Sequence, residues 1–270
     1  MTLDFKPVGG VLASLDLLQI EVDNPVMHIR LNRPDKRNAV NDAMLHQLQT
    51  CFVNMPADIG AAILTGAGDH FCAGLDLTEL TERTVAEGVF HSRTWHAAMD
   101  TIQSGRVPVI SVLHGAVIGG GMEIASATHI RIAEETAYYA LPEGQRGIFV
   151  GGGGSVRIPR LIGVAAMTDM MLTGAVVDAQ DGKSLGFSRY VVAKDQGFAK
   201  ACELASRIAS NTPLSNFAVL QALPRIADMS TQDGLFVEAL MIGIVQGDAS
   251  AKQRVRDFLE KRSAKVGKAA

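Results

Sequence analysis

The sequence has little cysteine, little net charge and no long apolar run. Its 3 cysteines, Cys51, Cys72 and Cys202, are an odd number at long spacing. That excludes a disulfide framework and a zinc site and fits a reducing compartment. With 25 Lys plus Arg against 28 Asp plus Glu, the chain has no basic field for nucleic acid or an acidic membrane. The longest uncharged stretch, Val107 to Met122, is broken by Pro108 and four glycines and is too short for a membrane helix of about 20 residues. The opening MTLDFKPVGG has no basic segment leading into an apolar one. The expectation is therefore no secretory signal and a cytoplasmic location. H-E-x-x-H, Cys-x-x-Cys, Walker and G-x-S-x-G patterns are all missing, and seven scattered histidines form no metal cluster, so no metal site is expected.

What the sequence does have is glycine, 27 in all, bunched at Gly119–Gly121 and Gly151–Gly154. A dinucleotide fingerprint would require a small residue at 124 and at 156, where Ile124 and Val156 stand. The length of 270 residues, 47% hydrophobic, suits one large domain, or one with a small appendage. Leu17–Val22 and Val26–Leu31, flanking Asp23-Asn24-Pro25, predict a hairpin. A helix is expected from Asp42, and strands over 61–65, 109–113, 129–133 and 137–140. Helices are expected over 78–105, 122–127 and 160–172, with Asp178 as the N-cap of another. From 195 on the pattern is helical alone: 195–211, 213–227, 231–246 and 248–262, then a small, basic tail from Ser263 that should fray. Residues 1–194 thus read as an α/β core and 195–270 as a helical region.

Three segments carry candidate chemistry. Strand 109–113 runs into Gly119-Gly120-Gly121-Met122-Glu123, a glycine turn opening a helix. Such a turn offers unpaired N–H groups and lets a ligand come close. Glu123 in the first turn also reads as an ordinary complement to the helix dipole. Glu143 follows Pro142 at a strand end; alone it reads as a solvated loop residue, and beside Glu123 it makes an acid–base pair. In Ala73-Gly74-Leu75-Asp76-Leu77 a bend aims the N–H of Leu75, and Asp76 suits a cap. His114 reads as structural. Arg146 is expected to lower the pKa of Glu143.

Together, Leu31-Asn32-Arg33-Pro34 with Lys36-Arg37-Asn38-Ala39, Phe71–Leu77, Gly115 with Gly119–Glu123, Pro142-Glu143, and Gly152–Gly154 with Arg157 and Pro159–Gly163 resemble the enoyl-CoA hydratase/isomerase (crotonase) superfamily. The resemblance implies a spiral of ββα units followed by a helical trimerisation region, in a homotrimer or homohexamer. It implies an acyl-CoA thioester as substrate, with no cofactor beyond that CoA. It also implies an oxyanion hole from the N–H groups of Leu75 and Gly120, and Glu123 and Glu143 as catalytic pair. Contacts to the substrate would come from Lys36, Arg37, Ala39, Ala73, Gly74, Asp76, Leu77, Gly119, Gly121, Tyr139 and Pro142. Two carboxylates point to hydration of a 2-enoyl-CoA. Isomerisation or hydrolysis on the same scaffold, or a non-catalytic scaffold, are the alternatives. The second glycine cluster is expected to shape the entry to a helix behind the site, a packing role.

Overall fold

A computed structural model describes residues 3–79 and 82–260; the tail from Ser263 lies outside them. The chain divides into two compact units, Met1–Ala209 and Ser210–Ala270.

In the first unit the strands are β1 (Lys6–Pro7), β2 (Leu18–Asp23), β3 (Val26–Leu31), β4 (Ala61–Gly66), β5 (Val109–Leu113), β6 (Ala116–Ile118), β7 (Ile130–Glu134), β8 (Tyr138–Ala140), β9 (Val177–Asp178) and β10 (Tyr190–Val192). The helices are α1 (Asp42–Val53), α2 (Val85–Gln103), α3 (Gly120–Ala127), α4 (Gly154–Ile162), α5 (Val164–Thr173), α6 (Ala179–Leu185) and α7 (Gly197–Ala209). The larger sheet has the order β1-β2-β3-β4-β5-β7-β10 and the smaller β6-β8-β9. β2 and β3 form the expected antiparallel hairpin, and β3, β4, β5, β7 and β10 run parallel.

The chain winds between the two sheets. β3 leads to Val40, which bridges Leu75; β4 leads to Cys72, which bridges Val117 in β6. β5 continues into β6, and β7 into β8. Each turn then closes with a helix, which makes the spiral of ββα units.

β4 and β5 show no alternation because both of their faces are buried. Ala62 and Leu64 face a core shared with Leu45 and Leu48 of α1 and Met99 and Ile102 of α2. Ala61 and Ile63 face the opposite core, with Ala201, Leu204 and Ala205 of α7. The helical pattern begins at 195, yet α7 packs on this sheet and belongs to the first unit.

Asn41 caps α1 by accepting from Met44 N at 2.9 Å. Asn41→Ala is expected to cost about 1 kcal/mol, read as a lower urea midpoint at unchanged slope. α2 starts later than expected, at a capping box in which Glu87 N donates to Thr84 Oγ1 and Thr84 N to Glu87 Oε2. The helix expected over 160–172 is two helices, α4 and α5, parted at Gly163 with φ 81°, where a left-handed φ breaks the helix. α4 begins inside the glycine cluster, whose low helix propensity hid its start.

The second unit holds α8 (Pro213–Phe217), a π-helical turn (Ala218–Ala222), α9 (Leu223–Ala227), α10 (Thr231–Gly247) and α11 (Ala249–Leu259). The helix expected over 213–227 is continuous but widens just before Pro224, which has no N–H for the carbonyl four residues back. Among the described residues no single helix is long and apolar enough to cross a membrane.

Candidate active site

Consecutive turns of the spiral bring two backbone N–H groups together. Val40 N donates to Gly74 O and Asp76 N to Val40 O, each at 2.8 Å. This ladder uses the residues on either side of Leu75 and leaves the Leu75 N–H on the other edge. Gly119, at φ 51° and ψ −116°, turns the chain into α3. Gly120 is the first helical residue, and its N–H has no acceptor within the helix. Neither N–H meets an acceptor among the described residues. A methyl group built on Gly120 would stand 3.3 Å from Leu75 N and 3.1 Å from Trp95 Cη2. One built on Gly74 would stand 3.4 Å from Gly120 N. The two N–H groups therefore border the same small space, which suits an oxyanion.

Glu123 reaches this space from the first turn of α3, and all eight residues of that helix are buried. Its Oε1 accepts from Gly152 N at 2.7 Å and Gly154 N at 2.9 Å. The second glycine cluster thus opens α4, as expected from sequence, and in addition holds a candidate catalytic group. A methyl on Gly152 would lie 2.7 Å from Trp95 Cε3 and 3.0 Å from Glu123 Oε2, so no side chain fits. Burial pushes the Glu123 carboxyl above the ordinary carboxylate value, opposed by the two N–H groups and the charge of Arg157.

Glu143 follows β8 at Pro142, where the strand stops. It is 8% exposed, so the solvated-loop alternative does not hold. Its Oε1 lies against Gly119, where an added methyl would come within 2.5 Å. Its Oε2 is buried and has no hydrogen-bond partner among the described residues. Burial is the main cause that pushes its pKa up, to about 7, and the nearby Glu123 charge adds to it. Arg146 pulls the other way, as expected, but its pull is the weakest of these influences. The two carboxyls lie in unequal settings: one accepts two N–H bonds, while the other has a bare oxygen and is partly protonated at neutral pH.

Leu75, Gly119, Gly120, Glu123, Glu143 and Trp95 line one cleft of about 270 Å³, and Ala73, Gly74 and Leu77 join them. Other sequence candidates lie elsewhere. Tyr139 is a core residue: its hydroxyl meets Ser188 Oγ at 2.6 Å and its ring packs edge-on against Phe187. Gly121 packs on Cys72, whose carbonyl leaves no room for a Cβ. The carboxylate of Asp76 pairs with Arg33 at 2.9 Å and accepts from the Thr78 hydroxyl and N–H, capping the short turn that follows. Pro142 is half-buried and does not line the cleft. Lys36, Arg37 and Ala39 also lie off it; Lys36 and Arg37 are exposed, and Arg37 O accepts from Ala73 N at 2.9 Å. His114 bonds Gly68 O at 3.1 Å, a structural contact. Sequence reasoning missed Gly152 and Gly154 as site residues, although the glycine cluster was their signal.

The ββα spiral thus brings an N–H pair and two buried carboxyls to one cleft, an arrangement suited to an acyl-transfer or enolate type of chemistry. The enoyl-CoA hydratase/isomerase family model matches residues 21–268, and the chain belongs to that family. Its fold is that of the crotonase superfamily, and membership implies an acyl-CoA thioester substrate. The chain is 33% identical over 241 residues to the enoyl-CoA hydratase EchA19 of Mycobacterium tuberculosis, covering 87% of this chain and 90% of that one. It is 32% identical over 240 residues to the 2,3-dehydroadipyl-CoA hydratase of Escherichia coli, covering 88% and 93%. A crystal structure from Rhodopseudomonas palustris, provisionally named an enoyl-CoA hydratase, superposes with TM-score 0.90 at 56% identity, covering 93% of this chain and 98% of that one.

Proposed function

We propose that the protein is an enoyl-CoA hydratase that adds water syn across a trans-2-enoyl-CoA to give a 3-hydroxyacyl-CoA. The observation that carries this reading is the pair of unequal carboxyls, Glu123 and Glu143, on one cleft with the N–H groups of Leu75 and Gly120. Glu123, anchored through Oε1, takes a proton from a water as its oxygen attacks C3. The π electrons move toward the thioester carbonyl, and the charge on that oxygen is met by the N–H groups of Leu75 and Gly120. Glu143 gives its proton to C2, and both carboxyls reset by exchange with solvent. The step needs no cofactor beyond the CoA of the substrate. An isomerase needs a single carboxylate to shuttle the proton, which would leave one of the two without a task.

The test is a panel of thioesters. Crotonyl-CoA should be converted to 3-hydroxybutyryl-CoA faster than a 3-enoyl-CoA is isomerised. Isomerisation or thioester hydrolysis without hydration would overturn the proposal, as would no turnover with tight nucleic-acid binding. We further infer a cytoplasmic homotrimer or homohexamer. The helical unit supports the assembly with exposed apolar side chains along α10, namely Leu235, Phe236, Leu240, Ile242 and Ile244; a monomeric mass by light scattering would refute it.

A further inference from the structure

Glu123 depends on the backbone of residues 152–154, and that backbone is itself held. Arg157, one turn into α4, donates from Nη1 to Gly152 O at 3.1 Å, from Nε to Gln103 Oε1 at 2.5 Å and from Nη2 to Asp100 Oδ1 at 2.9 Å. Its guanidinium lies against Gly153, where φ is 94° and no side chain would fit. The Arg157 side chain is 10% exposed and that of Asp100 65%, so the ion pair runs from solvent inward toward the site. Gln103 and Asp100 sit on the last turn of α2, the helix that also supplies Trp95 to the cleft. Three nitrogens of one planar fork are thus engaged by the end of α2 and by the glycine loop, a geometry that an ammonium group cannot reproduce.

We propose that Arg157, braced by Gln103 and Asp100, is the positioning residue of Glu123. It fixes the 152–154 backbone so that both N–H groups aim at Oε1, and its charge, moderated by Asp100, favours the carboxylate form. The proposal rests on the reading of Glu123 as the base. The charged groups around Glu123 are Arg157 from α4, Glu143 from the loop after β8, and, farther along the cleft wall, Arg146 and the Arg83–His91 pair. Burial raises the Glu123 pKa, the Gly154 and Gly152 N–H groups oppose it, and among the charged groups Arg157 is the cation that opposes it as well.

The test compares Arg157→Met, Arg157→Lys and Asp100→Asn in the full-length protein. It uses pH profiles of kcat and KM for crotonyl-CoA, and an infrared titration of the Glu123 carboxyl assigned by its loss in Glu123→Gln. The infrared arm needs no turnover, so failure of the hydratase reading and failure of this one are distinguishable. Arg157→Met should lower kcat by about 10²-fold through misplacement of the base, leave KM nearly unchanged, and move the acid limb and the infrared titration to higher pH. Arg157→Lys should restore the titration more fully than kcat. Asp100→Asn, at an exposed position, should move both titrations the other way, to lower pH. Titrations that stay put in the Asp100 variant, or that move in the same direction in the Met and Asn variants, overturn the proposal; the Asp100 variant decides even if Arg157→Met does not fold.

Discussion

Glu123→Gln is expected to lower kcat for hydration by about 10²–10⁴-fold with little change in KM. Glutamine keeps the volume of the side chain, and its carbonyl can still accept from Gly152 N and Gly154 N. What it loses is the ability to take a proton from water. Glu143→Gln should cost a similar factor for the complementary reason: an amide has no proton to give to C2. In the wild type, activity should fall as pH rises through about 7, where Glu143 loses its proton. Near-wild-type turnover in either variant would sink the assignment of roles. The Glu143 variant also carries a stability signature. A carboxyl raised from its ordinary 4.5 to about 7 binds more protons folded than unfolded between those values. Its contribution is full below about 4.5 and is lost as pH rises to about 7, a swing of roughly 3 kcal/mol as an upper figure. Glu143→Gln should flatten that part of the stability–pH curve, measured by urea unfolding, while it removes activity.

Gly120→Ala is expected to lower kcat by about 10²–10³-fold, the usual loss when an oxyanion hole is disabled. Both N–H groups remain, but the methyl would occupy the space between Leu75 N and Trp95 Cη2, at 3.3 and 3.1 Å, and displace the thioester oxygen. Alanine is the better helix former by about 1 kcal/mol, and Gly120 is not among the positive-φ glycines. An unfolded protein is therefore not the expected outcome, and the circular dichroism spectrum should be unchanged. Turnover within a few-fold of wild type would show that the oxygen does not sit between these groups.

Much of this was legible in the sequence where the cause is local. The helical spacing of Met44, Leu45 and Leu48 after Asp42 marks the start of α1, and unbroken apolar runs mark strands buried on both faces. The glycine turn before Glu123 marked a site because its chemistry lies within five residues, though α3 begins two residues earlier than expected, at Gly120. Non-local causes left no such trace. The bridges Val40–Leu75 and Cys72–Val117 are single pairings with no periodicity to read. The partner of Gly152 and Gly154 is a carboxylate about thirty residues back, so the cluster alone could not show its use. The resemblance implied a substrate contact for Tyr139, but its hydroxyl and ring meet Ser188 and Phe187, nearly fifty residues away. The pull of Arg146 on Glu143 had the right sign, yet its weight depended on a burial that sequence does not state.

The bridge between Cys72 and Val117 has a consequence for what this scaffold can become. Cys72 N donates to Ala116 O and Ile118 N to Cys72 O, at 3.0 and 3.1 Å, so the segments leading to Leu75 and Gly120 are neighbours in a ladder. The width of the space between the Leu75 and Gly120 N–H groups is then gauged by the roughly 4.8 Å step between strands, a length fixed by peptide geometry and indifferent to side-chain identity. Substitution along these segments can redraw the walls of the cleft or trade one carboxyl for another without resetting that gauge. Such a frame can keep one intermediate while the reaction around it drifts.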